Sequence, residues 1–305
     1  MSDTYLARLC GFVDDQYGIK VEGIEPATRG FYGETWKLDA GERSYFVKLC
    51  YSSPQKGVYE RSFPVVEHLY QHGIDFISHI VKTKDGALST QFDGAVVGVF
   101  DWIDGELTET DQTKGPEYDM LARIYTVPVD GVTIRREDFS GDSAAEFLQM
   151  WQACDDPDVC ALFESRRQKL IERARRLSHF AALCQGDQTG FVITHGDAGG
   201  NLIVGPDKCY IVDWDDPLLA PPERDAWNMV CYKGWSTALF EAALRRHGID
   251  YRLRTERVAY YCYYYCFFYL VELLQGLERP GVKDRLRVFF DDWAENRATY
   301  ADEHF

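Results

Sequence analysis

The sequence predicts an α+β chain of 305 residues, with a small, mainly antiparallel β segment first and a larger, mainly helical segment after it. Three observations carry this. Up to about residue 103, short apolar runs alternate with turns that contain Gly and Asp, as paired strands do. Beyond it, apolar residues recur at helical spacing over long stretches. That helical part is interrupted over residues 191–225 by three short strands with acidic residues at their ends. Residues 1–103 and 104–305 are therefore expected as two lobes, each long enough for a substantial core.

The elements follow in order. Residues 3–17 read as an amphipathic helix with Tyr5, Leu6, Leu9 and Phe12 on one side. A strand over 19–26 precedes two more over 28–50, which turn at Asp39-Ala40-Gly41-Glu42. Gly30 and Gly33 sit at the first bend, where an ordinary hairpin turn would also place them. Lys48 lies inside the apolar strand YFVKLC, so it must snorkel, pair or serve a ligand. Residues 54–72 contain a helix on which Glu60 and Glu67 share a face, with Pro64 between them. Strands then alternate with Lys-Asp-Gly and Phe-Asp-Gly turns, and the buried run VVGVF ends at Asp101-Trp102-Ile103. Helices are predicted over 119–127, 142–153, 157–185, 236–247, 255–278 and 281–300. The run VAYYCYYYCFFYLVELL is apolar all round, which argues for burial, although its hydroxyls could instead line a substrate pocket.

The central stretch reads FVITHGDAGGNLIVGPDKCYIVDWDDPLLAPPERD. Asp197 follows the first strand, Asn201 opens the second and Asp213 closes the third. A hairpin of the last two strands brings Asn201 and Asp213 together, and the loop between holds Asp197 beside them. A carboxylate with an Asn/Asp pair suits a hard divalent cation and a proton acceptor. Asp215, Asp216 and Glu223 follow, and their carboxylates would suit a cationic amine; Asp216 and Glu223 serve equally as caps of the next helix. His195 reads as a residue that bonds backbone and supports the loop.

These motifs, HGD with an Asn after it, the strand ending in Asp-Trp-Asp and LAPPERD, resemble the aminoglycoside phosphotransferases, nearest their spectinomycin-kinase branch. Three residues, Ala198, Gly199 and Gly200, separate Asp197 from Asn201 where that family has four, and glycines allow the tighter loop. The resemblance implies a two-lobed protein-kinase-like fold that transfers the γ-phosphoryl of ATP or GTP to a hydroxyl of an aminoglycoside- or aminocyclitol-like molecule, with antibiotic resistance as the associated role. It makes Asp197 the catalytic base and Asn201 and Asp213 the Mg²⁺ ligands. Lys48 would hold the α- and β-phosphates and pair with Glu60, or else with Glu67. The Gly30–Gly33 bend would cover the phosphates. The backbone of Asp101 and Ile103 would bond adenine, with Trp102 flanking the ring. Asp225 would brace the catalytic loop. A choline, homoserine or sugar kinase of the same fold, or an inactive kinase-like binding protein, remain alternatives.

Composition excludes other classes. The net charge of −16 opposes contact with a nucleic-acid backbone and favours cationic small molecules. No GxxxxGK[ST], GxSxG or CxxC occurs, which sets aside Walker-type ATPases and α/β-hydrolases and gives a zinc site no support. The N-terminal residues lack a basic then apolar leader, and Val258 to Val271 is too short and too rich in Tyr to span a bilayer. Nine cysteines without a framework suit a reducing cytoplasm.

Overall fold

The computed structural model describes residues 3–27, 33–231, 233–291 and 293–305. In chain order the elements are α1 (Asp3–Tyr17), β1 (Gly23–Pro26), β2 (Glu34–Ala40), β3 (Arg43–Cys50), α2 (Ser53–Gln71), β4 (Ile80–Val81), β5 (Thr90–Phe92), β6 (Ala95–Asp101), β7 (Glu106–Leu107), α3 (Lys114–Ile124), α4 (Asp142–Ala153), α5 (Pro157–Glu164), α6 (Arg167–Cys184), β8 (Val192–Thr194), β9 (Leu202–Val204), β10 (Cys209–Ile211), β11 (Leu218–Ala220), α7 (Glu223–Val230), α8 (Ser236–Arg246), α9 (Thr255–Gln275), α10 (Val282–Asp291) and α11 (Trp293–His304). They gather into two compact units, Met1–Arg135 with His195–Leu219, and Arg136–Thr194 with Ala220–Phe305.

In the first unit an antiparallel sheet runs in the order β1-β2-β3-β6-β4, with β5 also paired to β6. Alternation along β3 sorts its side chains. Val47 and Leu49 join Leu9, Val13 and Tyr17 of α1 in one apolar core. Lys48, between them, points to the opposite face. There it is paired across the ladder with Thr35 on one side and Gly98 on the other. The notch left by Gly98 is filled from α2, because a Cβ on Gly98 would stand 2.6 Å from the Phe63 ring. Helix α2 continues through Pro64. A second, three-stranded sheet has the order β10-β9-β7. Its register pairs Ile211 with Leu202, and Val212 N–H then donates to Asn201 O at 3.0 Å, as the strand-end reasoning requires. A parallel bridge from Ile211 to Ile77 fixes β10 to the segment after α2.

The second unit is helical around α9, which packs on α4, α6, α7 and α11. Three of its tyrosines are core residues with their hydroxyls bonded inside the unit: Tyr260 to Ser140 O at 2.9 Å, Tyr261 to Glu137 at 3.0 Å and Tyr263 to Asp302 at 3.0 Å. The single helix expected over 157–185 is two. Ser165 Oγ donates to Leu162 O at 2.7 Å, a local bond that competes with the helical ladder, and α6 restarts at Arg167. The segment expected as one helix over 281–300 forms α10 and α11, with residue 292 outside the described set. Among the described residues no helix is long and apolar enough to cross a membrane.

Candidate active site

The first unit places Lys48, Asp213 and Asp215 together, over a distance in sequence of more than 160 residues. Lys48 Nζ donates to Asp213 and, at 2.6 Å, to Asp215, and lies 5.3 Å from the centre of the Tyr59 ring of α2. The backbone after β10 makes this possible. Asp213 adopts φ of +67°, a conformation few non-glycine residues hold, and Asp215 N–H returns to Asp213 O at 2.9 Å. This curl turns both carboxylates toward one ammonium, while Trp214 between them is buried and donates to Ile211 O at 3.1 Å. Electrostatics follow from burial plus charge. Burial favours the neutral amine of Lys48, but the two carboxylates outweigh it and its pKa is raised. Against the desolvation of the pair, Lys48 holds the half-exposed Asp213 below the usual carboxylate range. Asp215, half-buried and crowded by Asp213, is pushed up.

The Asp197 loop is held by its own residues. His195 Nδ1 accepts Asp197 N–H at 3.1 Å and Nε2 faces Val212 O at 2.9 Å, so the ring is the neutral tautomer with its proton on Nε2, donating to that carbonyl. A buried His195 thus ties Asp197 to the strand end that leads into Asp213. Asn201 Nδ2 donates to Asp197 O at 2.7 Å and to its carboxylate at 3.3 Å, which leaves the Asn201 amide oxygen as a ligand atom. The shortened loop closes because Gly200 takes φ of +90° and Asn201 N–H bonds Ala198 O at 3.1 Å. Asp213, Asp215 and Asn201 offer only oxygen donors, a set that fits Mg²⁺. Among the described residues no three His, Cys, Asp or Glu side chains form a closed metal site. Mg²⁺ commonly binds through one or two protein oxygens completed by phosphates and water.

Other expected residues divide. Glu60 does not pair with Lys48: it is exposed on α2, and the partners of Lys48 are Asp213 and Asp215. Glu67 pairs instead with Lys82 at 2.6 Å. Asp215, expected at the acceptor, belongs with Lys48. Asp216 is half-exposed and paired with Arg135. Glu223 is not at the surface. It is fully buried in the second unit, where Tyr251 OH donates to its oxygens at 3.1 and 3.0 Å and Arg254 N–H donates at 2.6 Å. Burial pushes its pKa up to about 7. Asp225 is buried in the first turn of α7. Gly30 lies outside the described residues. Gly33 answers a steric demand, since a Cβ there would stand 2.1 Å from Leu49 O. At the end of β6, Asp101 N–H donates to His79 O and its carbonyl accepts Ser78 Oγ at 2.7 Å, while Ile103 N–H has no partner among the described residues. Trp102 is half-buried against Phe46, with Lys37 Nζ 5.3 Å from its ring centre.

Sequence reasoning missed Arg135 and the Tyr251–Arg257 pair, in which Arg257 donates to Tyr251 OH at 2.6 Å and steadies the Glu223 site. No local pattern marks them; an Arg within an aromatic helix is the only signal.

Among solved structures, spectinomycin phosphotransferase APH(9)-Ia in complex with ADP and spectinomycin is similar at 19% identity and a TM-score of 0.78, covering 96% of this chain and 98% of that one. The microcompartment-associated aminopropanol kinase is similar at 14% identity and 0.69, covering 99% and 97%. Choline kinase LicA from Streptococcus pneumoniae is similar at 16% and 0.61, covering 99% and 98%. At such identities the likeness shows a shared fold, the two-lobed α+β kinase-like fold. A comparison with curated proteins gives no match. Residues 23–261, well over half of the chain, match the phosphotransferase enzyme family, APH. The chain therefore belongs to that family and is a phosphotransferase.

Proposed function

We propose that the protein is a small-molecule kinase that moves the γ-phosphoryl group of ATP, or GTP, to a hydroxyl of an aminoglycoside- or aminocyclitol-like acceptor. The observation that carries this reading is the convergence of Lys48, Asp213 and Asp215 beside a loop in which Asn201 is bonded to Asp197. The nucleotide lobe is taken as residues 1–103 and the catalytic lobe as 104–305. Ile103 N–H and the second lone pair of Asp101 O are the groups offered to the base, with Trp102 alongside. Lys48 neutralises phosphate charge. Asp213, Asp215 and the Asn201 oxygen would hold Mg²⁺, which supplies charge neutralisation on the phosphate oxygens when bound. Asp197 orients the acceptor hydroxyl and takes its proton as the new O–P bond forms and the bond to the leaving diphosphate breaks, an effect worth roughly 10²–10⁴-fold. His195, neutral and bonded at both nitrogens, holds Asp197 in place and takes no proton.

The fold would equally host a choline, homoserine or sugar kinase, so the test is a panel. Nucleotide turnover with Mg²⁺ is measured in the presence of spectinomycin, other aminoglycosides, choline, homoserine and sugars. Acceptor-dependent ADP release with one class is expected, and the class names the substrate. Failure to bind Mg·ATP by calorimetry would refute the kinase reading and leave a binding protein.

A further inference from the structure

A charged triad outside the residues already assigned lies against the Asp197 loop. Strand β7 pairs with β9 so that Glu106 faces Val204 and Leu107 faces Ile203, and Thr108 N–H donates to Leu202 O at 2.9 Å. Continuing that register brings Glu109 level with Asn201. A second observation agrees: a Cβ on Gly200, between Asp197 and Asn201, would stand 3.6 Å from Glu109 Oε2. The carboxylate is fixed from the first turn of α3. Lys114 is 1% exposed and donates to Glu109 Oε1 at 2.9 Å and to Glu117 Oε2 at 2.8 Å. Glu117 is itself buried, so its charge answers that of Lys114. The triad keeps a net charge of about −1, and the exposed member that carries it is Glu109. Its Oε2 has no hydrogen-bond partner among the described residues.

We propose that Glu109 is a specificity-determining residue that receives a protonated amine of the acceptor at Oε2 and so holds the neighbouring hydroxyl at Asp197. A buried lysine that ties one carboxylate oxygen sets the direction of the other, which is how a partly exposed side chain is kept ready for a ligand. The ammonium is favoured over a neutral donor because Glu109 Oε2 is a half-exposed carboxylate oxygen with no hydrogen-bond partner among the described residues. This assignment rests on the kinase reading above.

The test compares the wild-type protein with E109Q, E109D and E106Q. Glu106 is exposed on β7, three residues before Glu109, and controls for the general negative field. Probes are spectinomycin and 1-amino-2-propanol, with propane-1,2-diol as the acceptor without an amine. Binding is measured by calorimetry in the presence of Mg·ADP, and turnover with Mg·ATP. E109Q is expected to weaken amine binding and raise the acceptor KM about 10-fold or more, the worth of a hydrogen bond to a charged group. E109D restores part of the loss, E106Q has no effect, and KM for ATP stays within about twofold in every variant, whereas a purely structural role would move it together with the acceptor KM. An unchanged acceptor KM in E109Q, an equal loss in E106Q, or no amine binding by the wild-type protein would overturn the proposal. If the wild-type protein binds amines but transfers nothing, the kinase reading fails; loss of binding in E109Q would still carry the assignment of Glu109, and retained binding would end it.

Discussion

Replacing Glu223 with Gln isolates one buried charge. Glu223 has no exposed surface, and burial moves its carboxyl from 4.5 to about 7 in spite of the Tyr251 hydroxyl and the Arg254 N–H that favour its anion. Below pH 4.5 both folded and unfolded chains hold the proton, and the folded state enjoys its full advantage. As pH rises toward 7 the unfolded chain ionises first, and the advantage disappears. With about 1.4 kcal/mol for each tenfold step in proton affinity, the shift amounts to about 3 kcal/mol over its whole range. Between pH 5 and pH 8 about 2.5 kcal/mol of it is traversed. Gln cannot ionise, so the difference in unfolding free energy between wild type and E223Q should move by about that amount across this window, the wild type gaining at pH 5. Other groups titrate alike in both proteins and cancel. Urea unfolding at closely spaced pH values measures the difference. A gap constant to within about 0.5 kcal/mol would refute the reasoning and mean that the two donors hold the anion at its ordinary affinity.

Further predictions concern the first unit. Asp197→Ala should lower kcat by roughly 10²–10⁴-fold with calorimetric Mg·ATP affinity unchanged; a wild-type rate would remove Asp197 from the chemistry. Asp213→Ala should weaken Mg·ATP binding and leave Lys48 paired with Asp215 alone; equal affinities by titration calorimetry would move the ion elsewhere. Gly33→Ala places a methyl 2.1 Å from Leu49 O and should destabilise by about 1–3 kcal/mol in urea unfolding, and an unchanged midpoint would show that the bend relaxes freely.

The sequence made the strand ends legible because alternation and turn residues act locally. Asn201 opens β9 and Val212 closes on it, so a hairpin alone places Asp213. The burial of α9 was legible for a similar reason: no face of it is polar. What escaped depends on partners far along the chain. Nothing near Lys48 distinguishes Asp215 from Glu60 as its partner, since the choice rests on the left-handed turn at Asp213. Glu223 looks like a helix-cap or substrate carboxylate until Tyr251, 28 residues on, closes over it. The break between α5 and α6 turns on one serine hydroxyl, which a charged helical pattern conceals. Glu109 lies in a stretch of Thr, Glu and Asp that reads as loop, and only the β7–β9 register gives it a position.

The burial of Trp214 between Asp213 and Asp215 has a consequence for how this protein can be watched. Its indole meets the His195 ring nearly edge-on, with ring centres 4.6 Å apart. The carboxylates of Asp213 and Asp215, one residue away on either side, set the local field that the indole emission reports. The turn that gathers the acidic groups therefore carries one of the chain's seven tryptophans at its centre, and arrival of an ion or a phosphate there is expected as a change of light, without a dye or a label, that Trp214→Phe removes.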